Sequence, residues 1–477
     1  MLDSVNSHIF DKRFGDPDDT IAAVATPRGS GAVGIIRISG PDAVSVVAKL
    51  FSSSATPPAP VPFPPPPRFL SLGFIADPKS GSVIDQVLFA FFPAPNSYTG
   101  DDVFEIYCHG GALVTREILS ASVAAGARPA LNGEFTCRAF LNGKLDLTQA
   151  ESVNDIISSR NRRFLQSAVN QLSGSFGREI KKLRSKLVDA LASIEVVLEY
   201  PEDNIDESDK TVFLSILTEV VSELRNIMDS SLSARISNEP LKVVLIGKPN
   251  VGKSSLLNRM LDRDRAIVSD IPGTTRDVVS DLISTHGLDF LICDTAGITK
   301  TKDVIESIGI EKSIKASQSA DVVIAVFDGS DNFDDNDAET ISIASNAPFS
   351  IAVINKSDLE HSFDVHSINS AFQKDRIIFA SAKTGDGISA VYESLLGHSE
   401  NLFSFSADAP IINERNKISL LQSISSLEDC ISNVNSAPDD ILCVDLRAAI
   451  DQLGLITGEN ATDDILASVF ANFCVGK

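Results

Sequence analysis

Between Gly247 and Ser254 the chain reads GKPNVGKS, directly after the apolar run VVLI and directly before the helix-forming SSLLNRML. Glycines at this spacing let successive backbone N–H groups turn onto phosphate oxygens at a helix N-terminus. Lys253 is then placed to reach β- and γ-phosphates, and the Ser254 hydroxyl to ligate Mg²⁺. Asn250, Gly252, Lys253, Ser254 and Ser255 are the candidate residues on the phosphate side. DTAG (Asp294–Gly297) follows the apolar run FLIC and supplies a carboxylate, Asp294, and a main-chain N–H, Gly297, for the metal and the γ-phosphate. NKSD (Asn355, Lys356, Asp358) ends the run IAVI. A carboxylate there accepts from both N1–H and N2–H of guanine, whereas adenine leaves it unpaired. SAK (Ser381, Ala382, Lys383) ends the run IIFA and can back the base with main-chain N–H groups. In this order the motifs specify GTP.

Hydrolysis needs more than binding. GTTRD (Gly273–Asp277) stands where a switch loop belongs, and Thr275 supplies a second hydroxyl for Mg²⁺. The residue after DTAG is Ile298, which cannot orient a water as a glutamine would. Glu306 is a candidate general base acting through a water, or else a solvated helix residue. Asn250 is a candidate ligand of a monovalent cation, or else only shapes its loop.

These motifs need a scaffold. VVLIG, FLICD, VVIAVFD, IAVIN and IIFAS are short, β-branched and apolar, as buried parallel strands are. They alternate with helical patterns over 239–400, which predicts a P-loop domain with a mostly parallel sheet. Upstream, over 16–142, TIAAVAT, GAVGIIRIS, FLSLGFIA and DQVLFAFF predict a β-rich domain. TPPAPVPFPPPP (Thr56–Pro67) cannot enter a sheet ladder and reads as a loop insertion or an exposed polyproline ligand. From Phe135 the pattern turns helical. Leu183, Leu187, Leu191, Ile194 and Leu198 recur at helical spacing, and a further helix is expected over Phe213–Asp229. Helices return at Lys417–Ser432, Ile441–Leu453 and Asp463–Phe473. The expected organisation is a disordered leader at 1–15, a β-rich domain at 16–142, and a helical domain in two halves, 143–238 and 401–477, around the P-loop domain. The fold class is multidomain α/β.

Composition bounds the partners. The 477 residues carry 41 basic and 64 acidic side chains, a net charge of −23. So acidic a chain is a poor non-specific nucleic-acid binder, and any such contact must be local or shared with a partner. One stretch stands out: Arg160, Arg162, Arg163, Arg178, Lys181, Lys182, Arg184 and Lys186, opposed locally only by Glu179. It is a candidate tRNA contact, or a solvated helix face. No apolar run reaches the ~18 residues of a membrane span, so no membrane role is expected. The first twenty residues lack the apolar core of a secretory signal. Six scattered cysteines without a C-x-x-C pair favour a reducing compartment. Cys108 beside His109 lies in a tight CHGG turn and is not expected to be a nucleophile pair.

DTIAAVATPRGSGAVGIIRISGP, CHGG, GEFTCRAFLNGKLDLTQAES, GKPNVGKSSLLNRM, AIVSDIPGTTRD, DTAGI and the final FCVGK, in that order, resemble the tRNA-modification GTPase family (MnmE, also called TrmE) over about Asp18–Lys477. The resemblance implies an N-terminal folate-binding and dimerisation domain followed by a helical domain interrupted by the G domain. It implies K⁺ held by Asn250, Ser269, Ile271 and Thr274, with Ser269 standing where threonine is commoner, and Glu306 as catalytic residue. It also implies a site for 5-formyl- or 5,10-methylene-tetrahydrofolate at Arg37, Glu105, Lys144 and Lys477. Read from chemistry alone, Arg37 and Lys144 suit folate carboxylates and Glu105 suits pterin N–H groups, but without the resemblance they read as surface or paired charges. Cys474 matches the family's near-terminal cysteine, needed for modification.

The implied activity is a K⁺-activated, dimerisation-dependent GTPase that acts as a homodimer. With an FAD-dependent MnmG/GidA-type protein, in a heterotetramer, it would install a carboxymethylaminomethyl-type group at C5 of the tRNA wobble uridine. The implied compartment is the bacterial cytoplasm or an organelle matrix. Thr299, where arginine is frequent, and Pro272 depart from the family pattern. Two other readings compete: a ribosome-assembly or regulatory GTPase switch without modification chemistry, and a folate-dependent aminomethyl-transfer enzyme in which the G domain only regulates.

Overall fold

The computed structural model describes residues 16, 18–27, 29–52, 63–159, 162–199, 207–236, 240–263, 280–285, 288–294, 320–402, 409–471 and 473–477. The chain divides into two compact units, one formed by residues 1–157, 169–225 and 414–477, the other by 158–168 and 226–413.

The first unit opens with a seven-stranded sheet. Its strands are β1 (Ile21–Val24), β2 (Val33–Ser39), β3 (Phe51–Ser52), β4 (Ser71–Ala76), β5 (Val83–Phe92), β6 (Val103–His109) and β7 (Arg128–Pro129), in the order β3-β4-β5-β6-β2-β1-β7. The alternation in β2 and β6 sends Ile36, Ile38, Phe104 and Ile106 to one face, where they are buried with residues of α1 (Ala43–Leu50) and α2 (Ala112–Ala125). Arg37, Glu105 and Tyr107 therefore lie on the opposite face, with Arg37 directly across from Glu105. The described end of the proline tract closes onto the buried face, Phe63 stacking on Phe104 with ring centroids 5.4 Å apart, as a packed loop rather than a free polyproline segment would.

Helices α3 (Glu134–Leu141), α4 (Leu147–Ser158), α5 (Arg162–Leu172), α6 (Ser175–Glu199) and α7 (Glu207–Ile236) follow. On α6 the buried stripe is Ile180, Leu183, Leu187, Ala190 and Ile194. The expected stripe had Leu191, whereas Ala190 is the buried residue at that turn. After the second unit come α11 (Glu414–Asn433), α12 (Asp439–Thr457) and α13 (Asp463–Ala471). The two halves of this helical region are joined through Glu151 of α4, whose Oε1 accepts from Arg415 Nε at 3.1 Å and Nη2 at 2.9 Å of α11. Asn416 Nδ2 donates to the other carboxylate oxygen at 3.2 Å.

The second unit holds a six-stranded sheet of β8 (Leu241–Ile246), β9 (Ser280–Thr285), β10 (Leu288–Asp294), β11 (Val322–Asp328), β12 (Ser350–Asn355) and β13 (Ile377–Phe379), ordered β13-β12-β11-β8-β10-β9. All pairs are parallel except β9–β10. Val322 to Phe327 are buried throughout, because helices cover both faces of a parallel sheet. One face packs on α8 (Lys253–Arg263) and α10 (Ile388–Leu402), the other on α9 (Asp335–Ser345). Ligands of such sheets bind at the carboxyl ends of the strands, and GKPNVGKS, NKSD and SAK follow β8, β12 and β13. Among the described residues no helix is long and apolar enough to cross a membrane.

Candidate functional site

The loop 247–252 joins β8 to α8 and encloses Lys253, whose Nζ donates to the carbonyls of Gly247 at 2.7 Å and Lys248 at 2.9 Å. The ammonium is thus held inside the loop, within reach of anything the loop's N–H groups bind. Asn250 sits in left-handed backbone at φ 65°, which asparagine tolerates better than branched residues. Its loop-shaping role is therefore visible, whatever else it does. Gly252, at φ 97°, has no room for a side chain: a Cβ would lie 2.3 Å from Asn355 Nδ2. That amide instead donates to Val251 O at 2.7 Å, while Asn355 Oδ1 accepts from Ala382 N at 3.0 Å. One side chain thereby ties the phosphate loop to both base loops. Ser254 and Ser255 open α8 on its exposed side.

On the base side, Asp358 Oδ1 accepts from Ser381 Oγ at 2.7 Å, and Lys383 Nζ lies 3.9 Å from Oδ2. The Ser381 hydroxyl holds this carboxyl below its usual range, so it stays an acceptor. Arg259 of α8 donates to Ala382 O at 3.0 Å and also to Lys383 O, fixing the SAK turn. Sequence reasoning missed Arg259 and the acidic partners of Lys248 and Lys356; a helix-borne arginine facing a loop carbonyl carries no motif. Asp294 ends β10. Ser269, Ile271, Thr274, Thr275, Gly297 and Glu306, with Pro272 and Thr299, lie outside the described residues.

A second constellation forms in the first unit. Arg37 Nε and Nη2 donate to Glu105 Oε1 at 3.0 and 2.7 Å, and Tyr107 OH donates to Glu105 Oε2 at 2.7 Å. Arg37 also lies 5.2 Å from the centre of the Tyr98 ring and donates to Gly476 O at 3.4 Å. Residues 474–477 are held there by an antiparallel bridge between Asn132 and Val475. Gly476, at φ 96°, runs so close to β1 that a Cβ would lie 2.5 Å from Val24 O. Lys477 is half-buried, and burial together with the Arg37 charge pushes its ammonium below the usual lysine range. The structure thus brings Arg37, Glu105 and Lys477 together. It also pairs Arg37 with Glu105, so a ligand must share or open that ion pair. Lys144 donates to Pro95 O at 2.9 Å, in the loop that carries Tyr98. Cys474 is exposed, whereas Cys108 is buried and its thiol is pushed up to about 11, first by burial and then by Asp85. His109 pairs instead with Asp85 through Nδ1 at 2.7 Å; it and Cys108 end strand β6, laddered to Val33 and Gly34, and do not lie in the expected turn.

The basic stretch changes meaning in three dimensions. Arg184 pairs with Glu459 at 2.8 Å, Lys186 with Glu219 at 2.9 Å and Glu223 at 3.4 Å, and Lys181 approaches Asp146 at 3.8 Å. The carboxylates missing from the local sequence come from other elements. Three of the eight thus carry carboxylate partners from other elements, as a solvated, ion-paired helix face would; Arg160 and the Arg163 side chain lie outside the described residues.

Strand, phosphate loop and helix, with Asn-Lys-Ser-Asp at the end of another parallel strand, define a P-loop GTPase fold. The family model "MnmE helical domain" matches residues 147–474, and "GTP-binding protein TrmE N-terminus" matches residues 20–144. The tRNA modification GTPase MnmE of Acetivibrio thermocellus is 39% identical over 470 residues, covering 96% of this chain and 99% of the relative. That of Carboxydothermus hydrogenoformans is 40% identical over 469 residues, covering 96% and 100%. The chain belongs to the tRNA modification GTPase family.

Proposed function

We propose that the chain is a Mg²⁺-dependent, K⁺-stimulated GTPase working as a homodimer. It joins an FAD-dependent MnmG/GidA-type partner in a heterotetramer to install a carboxymethylaminomethyl-type group at C5 of the tRNA wobble uridine, with tRNA engaged mainly through the complex. Its compartment is the bacterial cytoplasm or an organelle matrix. The observation that carries the folate half of this reading is the seating of Gly476 and Lys477 against Arg37 and Glu105. Three charged groups far apart in sequence meet there, Arg37 and Glu105 in a direct ion pair and Lys477 half-buried near both, a donor and acceptor set suited to a pterin and its glutamate carboxylates. 5,10-Methylene-tetrahydrofolate would supply the one-carbon unit, and Cys474 stands exposed in the same C-terminal segment. The homodimer is supported by an uncovered apolar strip where the same sheet face leaves Leu72 and its cross-strand neighbour Leu88 64% and 40% exposed, next to Phe69 at 67%.

In the GTPase half, Lys253 would exchange its two carbonyls for the phosphates, Ser254 and Thr275 would hold Mg²⁺, and Asp294 would support it. Gly252, Ser255 and Gly297 offer N–H groups to the phosphate oxygens. Asn355, Lys356 and Asp358 select guanine, backed by Ser381, Ala382 and Lys383. Asn250, Ser269, Ile271 and Thr274 would hold K⁺, whose positive charge would offset the negative charge that hydrolysis develops on the phosphates. Glu306 then orients and deprotonates the attacking water through a second water.

The test is GTP hydrolysis in K⁺ and in Na⁺ at equal ionic strength, with 5-formyl-tetrahydrofolate binding measured in parallel. K⁺ stimulation abolished by Asn250→Ala, together with folate binding abolished by Arg37→Ala, supports the reading. Equal, slow rates in both salts would favour a regulatory switch.

A further inference from the structure

Two lysines of the nucleotide motifs are ion-paired with one acidic segment. Lys248, inside the phosphate loop, is only 9% exposed; its Nζ contacts Asp331, Asp334 and Asp337 at 3.3, 3.1 and 3.1 Å. Lys356, inside NKSD, places Nζ 2.5 Å from Asp328 Oδ2. The carboxylates are themselves anchored. Asp334 and Asp337 form a reciprocal capping box at the start of α9, and Asp328 Oδ1 accepts from Ser330 N at 3.0 Å and Oγ at 2.7 Å.

We propose that the segment Asp328–Asp337 positions the nucleotide site from behind, fixing the phosphate loop through Lys248 and the base loop through Lys356. This rests on the reading that a guanine nucleotide binds between those loops. Lys248 contributes one of the two carbonyls that hold Lys253, so restraining its side chain restrains the loop that presents the phosphate-binding groups. Lys356 occupies left-handed backbone at φ 63°, a conformation a lysine does not favour unaided. Its tether to Asp328 holds the turn that aims Asn355 and Asp358. Stability alone would not select this arrangement. Three carboxylates surround one ammonium, and Asp337 Oδ1 is buried without a hydrogen-bond partner. Asp328 and Asp337 act through Lys356 and Lys248, so they are positioning residues.

The experiment compares full-length Lys248→Met, Lys248→Arg, Asp331→Asn and Asp328→Asn by displacement of a fluorescent GDP analogue, using GDP and guanosine as competitors. For Lys248→Met, GDP affinity is expected to fall about tenfold with guanosine unchanged, in the range typical of coupling between contacts. Lys248→Arg should restore most of it. Asp331→Asn removes the most exposed of the three carboxylates and should give a smaller loss in the same direction even if Lys248→Met does not fold. Asp328→Asn should weaken GDP and guanosine by the same factor. Unchanged GDP affinity with only a lower melting temperature would overturn the proposal, as would equal loss of GDP and guanosine on removing Lys248. Failure of the wild-type chain to bind GDP would instead sink the nucleotide-site reading itself.

Discussion

Replacing Gly476 by alanine should detach residues 474–477 from the first unit. A residue with a Cβ pays about 1–2 kcal/mol to stay in left-handed backbone. The new Cβ would also lie 2.5 Å from Val24 O and 3.0 Å from Ala25 Cα, close enough that the backbone must move. Against this stand few restraints: the Asn132–Val475 bridge, Gly133 N to Cys474 O at 3.4 Å, and Arg37 Nη1 to Gly476 O at 3.4 Å. Such bonds contribute roughly 0.5–1.5 kcal/mol each, the long ones least. The penalty therefore matches what holds the segment. The ratio of docked to detached states should fall about tenfold for ~1.4 kcal/mol, and where the penalty equals the holding energy roughly half of the molecules are detached. Buried Phe470 and Phe473 confine the change to the residues after them. Hydrogen exchange read on a peptide spanning 474–477 should show lost protection, and 5-formyl-tetrahydrofolate affinity should drop about twofold, in proportion to the docked fraction. Wild-type protection together with wild-type affinity in the variant would refute the reasoning.

Asp358→Asn exchanges an acceptor for a mixed donor and acceptor. It should weaken GDP at least ~100-fold while improving xanthosine diphosphate, measured by competitive displacement. Glu151→Gln leaves Arg415 without its counter-ion between the two halves of the helical region. It should cost about 2–3 kcal/mol, less than a fully buried pair because Arg415 keeps some solvent, read as a shift in urea unfolding. At pH 8 iodoacetamide should label exposed Cys474 well before Cys108 and Cys430. Burial raises those thiols to about 11 and about 12, so their thiolates form only as the pH climbs past those values.

The P-loop fold was legible because its motifs are local: each lies within a few residues of the strand or helix that positions it, as GKPNVGKS lies between β8 and α8. The apolar runs marked the central strands, while β9, with its polar SDLIST, carried no such mark. What could not be read were the pairings between distant charges. Arg184 looks free until Glu459 is beside it, and Arg37 looks available until Glu105 is found across the strand. Register and helix packing create those neighbours, and no spacing rule in a single chain encodes them. Lys248 is the sharpest case. A lysine inside a phosphate loop invites a phosphate-binding role, yet its ammonium is held by aspartates more than eighty residues away.

The contact between Arg37 and Gly476 spans 439 residues of chain and has a consequence for synthesis on the ribosome. Domains fold as they emerge, so the sheet bearing Arg37 and Glu105 exists long before its last wall does. The G domain is translated in between and can reach its own fold first. The proposed folate site is then completed only when residues 474–477 arrive. A prematurely ended chain would carry an intact GTPase with an incomplete folate site, so the two halves of the proposed activity become available at different moments of the protein's birth.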